Sequence, residues 1–185
     1  MAVFSRNPHS GSALSDEGIY LRALEPEDLE FLYQVENDPA QWAISNTVAP
    51  FSKAVLEEYL HHAHQDIYTV RQLRLMVCLE NHESIGTVDL YDFDPVNLRA
   101  GVGIMIKAEH RRQQAAAKTL AILHRYCTHV LHLHQLYCTI QDTNGASLAL
   151  FSKCGYTRVG TRHDWLRTAA GWQDVVEMQK ILATR

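Results

Sequence analysis

No apolar run among the 185 residues approaches the roughly 20 that a membrane-spanning helix requires, so no such span is expected. The opening stretch, "MAVFSRNPHSGSALSDEG", lacks the apolar segment of a secretion signal. It reads as a poorly ordered lead-in over residues 1–17, followed by a single domain over 18–185, with the cytoplasm as the expected location. Cysteine is scarce and has no CxxC spacing: Cys78, Cys127, Cys138 and Cys154 each lie among apolar neighbours and read as buried free thiols. Histidine is more plentiful, yet HExxH is missing. His61, His62 and His64 crowd a helix end, and His129, His132 and His134 straddle a helix-to-strand join; neither group offers ligands on one face, so no metal is expected. Positive charge is also short, with 17 Lys and Arg against 21 Asp and Glu. That balance excludes the broad basic surface of a general nucleic-acid binder.

What is present is an ordinary globular composition, 46% hydrophobic, at a length suited to one covered core. "IYLRAL" (19–24) alternates as a strand. In "EPEDLEFLYQVENDP" Pro26 suits a first helical position, acids fill the first turn, and Leu29, Leu32 and Tyr33 form an apolar stripe. Ser52 is a good N-cap for a helix that turns Leu56, Tyr59, Leu60 and Ala63 inward. "LRLMVCLE" (73–80) and "SIGTVDLYDF" (84–93) form a hairpin, and "NLRAGVGIMI" (97–106) adds another strand. Ala116, Leu120, Leu123, Cys127 and Val130 then recur at helical spacing. "HQLYCTIQ" (134–141) is a strand, and "NGASLALFSKCG" (144–155) is a helix closed by Gly155. A final hairpin lies near "TRVGTRH" and "WQDVVEMQKIL". This order predicts an α/β (α+β) domain with a single mixed, mainly antiparallel sheet flanked by helices on both faces.

Within "IMIKAEHRRQQAAAKTL" (104–120), Arg111 and Arg112 stand at the mouth of a helix, where the macrodipole repels cations. Cations fit there if an anion is to arrive, since exposed amides, dipole and arginines together cradle a phosphate. A solvated charge run at a helix start is the alternative.

The order of elements and four of these stretches resemble the GNAT superfamily of acetyl-CoA-dependent N-acetyltransferases, in particular its spermidine and ribosomal-protein N-terminal acetyltransferase branch. The stretches are "LRALEPEDLEFLYQVENDP", "SIGTVDLYDFDPVNLRAGVGIMI", "NGASLALFSKCGYTRVGT" and "GWQDVVEMQKIL". The resemblance implies a splay between the fourth and fifth strands of that family's sheet, here "NLRAGVGIMI" and "HQLYCTIQ", with the pantetheine arm of acetyl-CoA against Ile104, Met105 and Ile106. The diphosphate pattern of the family (Gln or Arg, two residues, Gly, one residue, Gly or Ala) maps onto Arg111, Arg112, Gln113, Gln114, Ala115 and Ala116. Gln114 stands where the family has glycine, and forcing it into left-handed backbone costs about 1–2 kcal/mol. Asn144 and Lys153 are further cofactor contacts by resemblance. Phe151 falls where many members carry a proton-donating Tyr; a thiol of pKa about 8.5 leaves tolerably well without one.

The same resemblance places an acid at Asp89, with Tyr91 beside it, as the catalytic pair. Strand alternation sets Asp89 and Tyr91 on one face and Asp92 on the other. Asp89 is equally readable as a solvent-facing carboxylate. The loop between the first two helices, with Trp42, Asn46 and Phe51, and with Glu36 and Asp38 at the preceding helix end, is the expected acceptor pocket, acids and aromatics suiting a cationic amine. Trp42 serves as well in a core. The expected activity is acetyl transfer from acetyl-CoA, without metal, to a primary amine: a polyamine-like small molecule or a protein N-terminus. The alternative is a degenerate CoA-binding or protein-interaction module. Partners are a small-molecule or peptide amine and a second copy of the chain; nucleic acid and membrane are not expected.

Overall fold

The computed structural model describes residues 13–16, 18–39, 42, 47–111, 114–168 and 171–182. Alternation in "LRLMVCL" and its neighbours sorts side chains to two faces of one eight-stranded sheet. The strands are β1 (Ser15–Asp16), β2 (Ile19–Arg22), β3 (Leu73–Leu79), β4 (Ser84–Asp94), β5 (Arg99–Ile106), β6 (Gln135–Gln141), β7 (Thr157–Thr168) and β8 (Gly171–Ile181). Their spatial order is β1-β2-β3-β4-β5-β6-β8-β7, and every pairing is antiparallel except β5 with β6. The mixed, mainly antiparallel sheet therefore stands as expected. Ser15 and Asp16, assigned by sequence to the lead-in, pair with Tyr20 and Ile19.

One face carries Leu75, Val77, Val88, Leu90, Val102 and Leu136, all buried in the main core. It is covered by α4 (Ala115–His129), whose Leu120, Ile122 and Leu123 are fully buried. Each such side chain contributes roughly 1.5–3 kcal/mol through burial. The stripe ends sooner than its spacing implies, because Val130 caps the helix and is 49% exposed. On the other face Tyr20, Met76 and Cys78 pack against Phe31 of α1 (Leu29–Glu36). A 3-10 turn at Pro26–Asp28 starts that helix, with a Glu25–Asp28 capping box. Ser52 caps α2 (Lys53–His62) by accepting from the Val55 N–H. Asn37 ties the α1–α2 loop back, accepting from the Phe51 N–H and donating to the Tyr33 and Phe51 carbonyls.

Two elements escape a sequence reading: β1, and the single-turn α3 (Ile67–Val70), which Asp66 caps. α5 (Gly145–Lys153) is capped by Asn144 and followed by Gly155 at φ +86°, as its sequence suggests. Cys78, Cys127 and Cys138 are buried free thiols, while Cys154 is only half-buried. Among the described residues no helix is long and apolar enough to cross a membrane. Nor does any group of three or more His, Cys, Asp or Glu side chains there sit so as to hold a metal ion.

Candidate active site

Only Arg99, Ala100 and Gly101 of β5 pair with β6, opposite Gln135, Leu136 and Tyr137. Beyond them the two strands part, and β5 stays bonded to β4 through Ile106. The gap is a cavity of about 200 Å³ lined by Val102, Gly103, Ile104, Cys138, Thr139 and Ile140, and closed by α5 and β7. Gly86 allows β4 and β5 to stay this close, since a Cβ there would lie 2.2 Å from the Met105 carbonyl oxygen. From α5 come Ser147 and Phe151, with Asn144 at its cap. The Phe151 ring stands edge-on to Tyr156, whose hydroxyl meets His124 at 3.2 Å. Burial pushes the Cys138 thiol up to about 12, so it stays protonated beside the gap.

Trp165 and Leu166 reach the cavity through a bulge in β7. Asp174 of β8 accepts the Asp164 N–H at 2.9 Å and holds the His163 ring at 2.6 Å, with Asp164 in left-handed backbone at φ +49°. The Arg162 guanidinium lies 4.5 Å from the Trp165 ring centroid. None of this was read from the sequence. A bulge set by a cross-strand partner leaves no local signal.

At the other end of β5 the chain turns through Ala108–His110 into α4. Arg111 donates from Nε to the Ile106 carbonyl at 2.9 Å, which anchors its stem. Gln114 stands at φ +63° as the N-cap of α4, so the left-handed backbone expected from the glycine pattern is real. Ala115 is buried and Ala116 half-buried behind it. Arg112 and Gln113 lie outside the described residues, as does Asn46. Gln114→Gly should raise stability by about 1 kcal/mol, strain relief offset by a more flexible unfolded chain. The urea midpoint reads this directly, and a lower midpoint would show that Gln114 makes contacts worth more than its strain.

On the α1–α2 face of the sheet, Asp89 (β4) faces Arg74 (β3) and Gly103 (β5) in register. Arg74 holds Asp89 from Nε to Oδ1 at 2.6 Å and from Nη2 to Oδ2 at 3.3 Å, and its Nη1 holds Glu36 at 2.5 Å. The guanidinium also lies 5.7 Å from the Tyr59 ring centroid. Burial, opposed by Arg74, leaves the Asp89 carboxyl above its usual range. A Cβ on Gly103 would lie 3.7 Å from Asp89 Oδ2, so the more loosely held oxygen is the one beside the gap.

Tyr91 packs against Gly101, where a Cβ would come within 2.2 Å of its ring, and stands edge-on to Tyr137. Burial, and then Tyr137, raise its hydroxyl well above the phenol range, so it keeps its proton at neutral pH. Simple alternation fails for Asp92. It sits in a bulge at φ +49° and brings Oδ2 to 3.5 Å from the Tyr137 hydroxyl, beside Tyr91.

The structure thus gathers Ile104 and Asn144 at the cavity, and Asp89, Glu36 and Tyr91 on the face above it. Met105 and Ile106 continue β5 past the cavity lining, and Lys153 is exposed in the last turn of α5 outside it. Trp42 is half-buried and donates from Nε1 to the Glu36 carbonyl at 2.7 Å, securing the end of α1. Arg74 is the residue that sequence reasoning missed, although a lone cation in an apolar strand was its signal.

A splayed parallel pair opening beside a helix N-terminus defines a class of acyl-CoA-dependent transferases, and comparison with known proteins agrees. A model of the acetyltransferase (GNAT) domain matches residues 19–157. This chain belongs to that family. It uses acetyl-CoA to acetylate a primary amine. The spermidine N(1)-acetyltransferase of Escherichia coli strain K12 is 26% identical over 149 residues, 79% of this chain and 76% of that protein. Its Vibrio cholerae counterpart is 26% identical over 161 residues, 85% and 90% respectively. The crystal structure of the Vibrio cholerae spermidine N-acetyltransferase with CoA and spermine superposes with a TM-score of 0.82 at 25% identity, covering 90% of this chain and 97% of that one. A dodecameric structure of a spermidine N-acetyltransferase from Vibrio cholerae gives 0.76 at the same identity, covering 90% and 95%.

Proposed function

We propose that the acceptor is a small cationic alkylamine, and that Asp89 is the base that receives its proton. The carrying observation is Asp89 Oδ2, loosely held by Arg74 and adjacent to Gly103 at the mouth of the gap. Acetyl-CoA supplies the activated acetyl thioester. The free β5 edge from Val102 to Ile104 pairs with its extended arm, and Arg111, Arg112, Gln113, Gln114 and the N–H groups of Ala115 and Ala116 receive its diphosphate. Asn144 shapes the cavity wall through the cap of α5. Asp89, directly or through a water, takes one proton from the ammonium so that the freed nitrogen lone pair bonds to the acetyl carbon; as the carbon–sulfur bond breaks, the surplus proton left on nitrogen passes to water. Backbone N–H groups of β5 stabilise the charge developing on the acyl oxygen. The sulfur leaves as thiolate, since Phe151 offers no proton and the Tyr156 hydroxyl is engaged with His124. Glu36 supplies negative charge, while Trp42 and Tyr91 form walls.

The related spermidine acetyltransferases support an alkylamine over a peptide. Comparing kcat/KM for propylamine, spermidine and a short peptide N-terminus tests the reading, which predicts that an alkylamine is the better substrate. Turnover of the peptide alone would overturn it. Among the described residues the outer edge of β7 has no neighbouring strand, and Val159 and Trp172 are exposed on that hairpin, which supports self-association into at least a homodimer.

Replacing Arg111 and Arg112 together by Ala should weaken acetyl-CoA binding by about 1–3 kcal/mol, the scale of charge-assisted hydrogen bonds. The loss should shrink as salt rises. Calorimetric titration at low and high salt checks this, and unchanged affinity at low salt would sink the phosphate assignment.

A further inference from the structure

The acceptor face carries a cation of its own. Arg74 lies between Glu36 and Asp89 and hydrogen-bonds both, with the side chains of all three about four-fifths shielded from solvent. Tyr59 covers the guanidinium, and burial keeps the Tyr59 hydroxyl protonated, so it adds no charge. With both carboxylates ionised, the trio carries a net charge of −1. Farther along the sheet Glu177, opposite Thr139 of the cavity lining, is tied to Arg162. Asp92 is exposed at the β4 bulge, where water and salt screen it.

A polyamine presents several ammonium groups and needs several uncompensated carboxylates; a monoamine needs one. Arg74 already occupies the place between Glu36 and Asp89 that a second ammonium would take. We infer that Arg74 is a specificity-determining residue, which lowers the negative charge of the acceptor site so that it favours an amine with one cationic centre over a polyamine. The inference rests on the proposed acetylation of a cationic alkylamine at this site. It adds which alkylamine the site selects.

A charge series tests it. Arg74→Gln makes the trio −2, Glu36→Gln makes it neutral, and the double variant R74Q/E36Q restores −1 without the guanidinium. Affinities of spermidine and propylamine for each CoA-loaded protein are read by calorimetry, and kcat/KM is measured alongside. Wild type should favour propylamine. R74Q should shift the spermidine-to-propylamine ratio toward spermidine by about tenfold or more, the effect of one unit charge within a partly buried site. E36Q should shift it the opposite way, and the double variant should return near the wild-type ratio. A purely structural Arg74 would change affinity for both amines together. A ratio that does not follow net charge, or a wild-type preference for spermidine that R74Q leaves unchanged, overturns the inference. If R74Q does not fold, E36Q and the double variant still decide. Binding ratios that follow charge with no turnover of any amine would uphold Arg74 and defeat the acetylation reading instead.

Discussion

Asp89→Asn is expected to lower turnover of an alkylamine by 10²-fold or more, within the range for general base catalysis. An alkylammonium of pKa about 10.4 is only about 0.04% deprotonated at neutral pH, a deficit of about 4–5 kcal/mol. Asn cannot take the proton, so the mutant depends on that small free fraction. Its rate should climb with pH toward the pKa of the amine. An α-amine of pKa about 7.7–8.0 is already partly free, and the same substitution should cost it much less. The wild-type carboxylate, raised by burial, is a better proton acceptor than an exposed Asp. Arg74 keeps Glu36 as a partner in the mutant, and a urea unfolding curve separates lost stability from lost chemistry. Rates from about pH 6.5 to about pH 9.5 for both amine types decide the matter. An equal, pH-independent loss for both would make Asp89 structural.

The second large effect concerns stability in acid. His124 on α4 packs against Tyr156, and burial, followed by the positive charge of Lys180, lowers its imidazole to about 4. The folded state therefore binds fewer protons than the unfolded chain between that value and about 6.5. Stability from the neutral imidazole is fully present above about pH 6.5 and is lost as pH falls toward about 4, amounting to roughly 3 kcal/mol. His124→Phe keeps an aromatic ring there and removes the titration, although Tyr156 loses its partner. Between pH 7 and pH 4 the mutant should lose less stability than wild type by about that amount, read from urea unfolding at each pH. Parallel losses in the two proteins would show that His124 charges in place at little cost.

The helices and most strands were legible because their signals are local. Ser52 and Gly155 mark ends through backbone requirements that depend on no distant residue, and alternation fixes the faces of β3 and β4. The left-handed Gln114 was equally visible, as a departure from a pattern that asks for glycine. What stayed hidden depends on partners far along the chain. Asp174 shapes the bulge that delivers Trp165 and Leu166 to the cavity, and a bulge before Asp94 turns Asp92 toward Tyr137. Arg74 is the sharpest case. Sequence placed Glu36 and Asp89 at the acceptor site as bare acids, and only the register of β3 on β4 and the approach of α1 show the cation between them.

The most direct test of the account is release of free CoA thiol from acetyl-CoA in the presence of propylamine, followed together with the mass of the amine product. Thiol and N-acetylamine should appear in matching amounts, with no thiol released when the amine is omitted and no acetylated protein accumulating. A thermal shift with acetyl-CoA but no thiol release with any primary amine would contradict it, leaving a fold that binds the cofactor without using it.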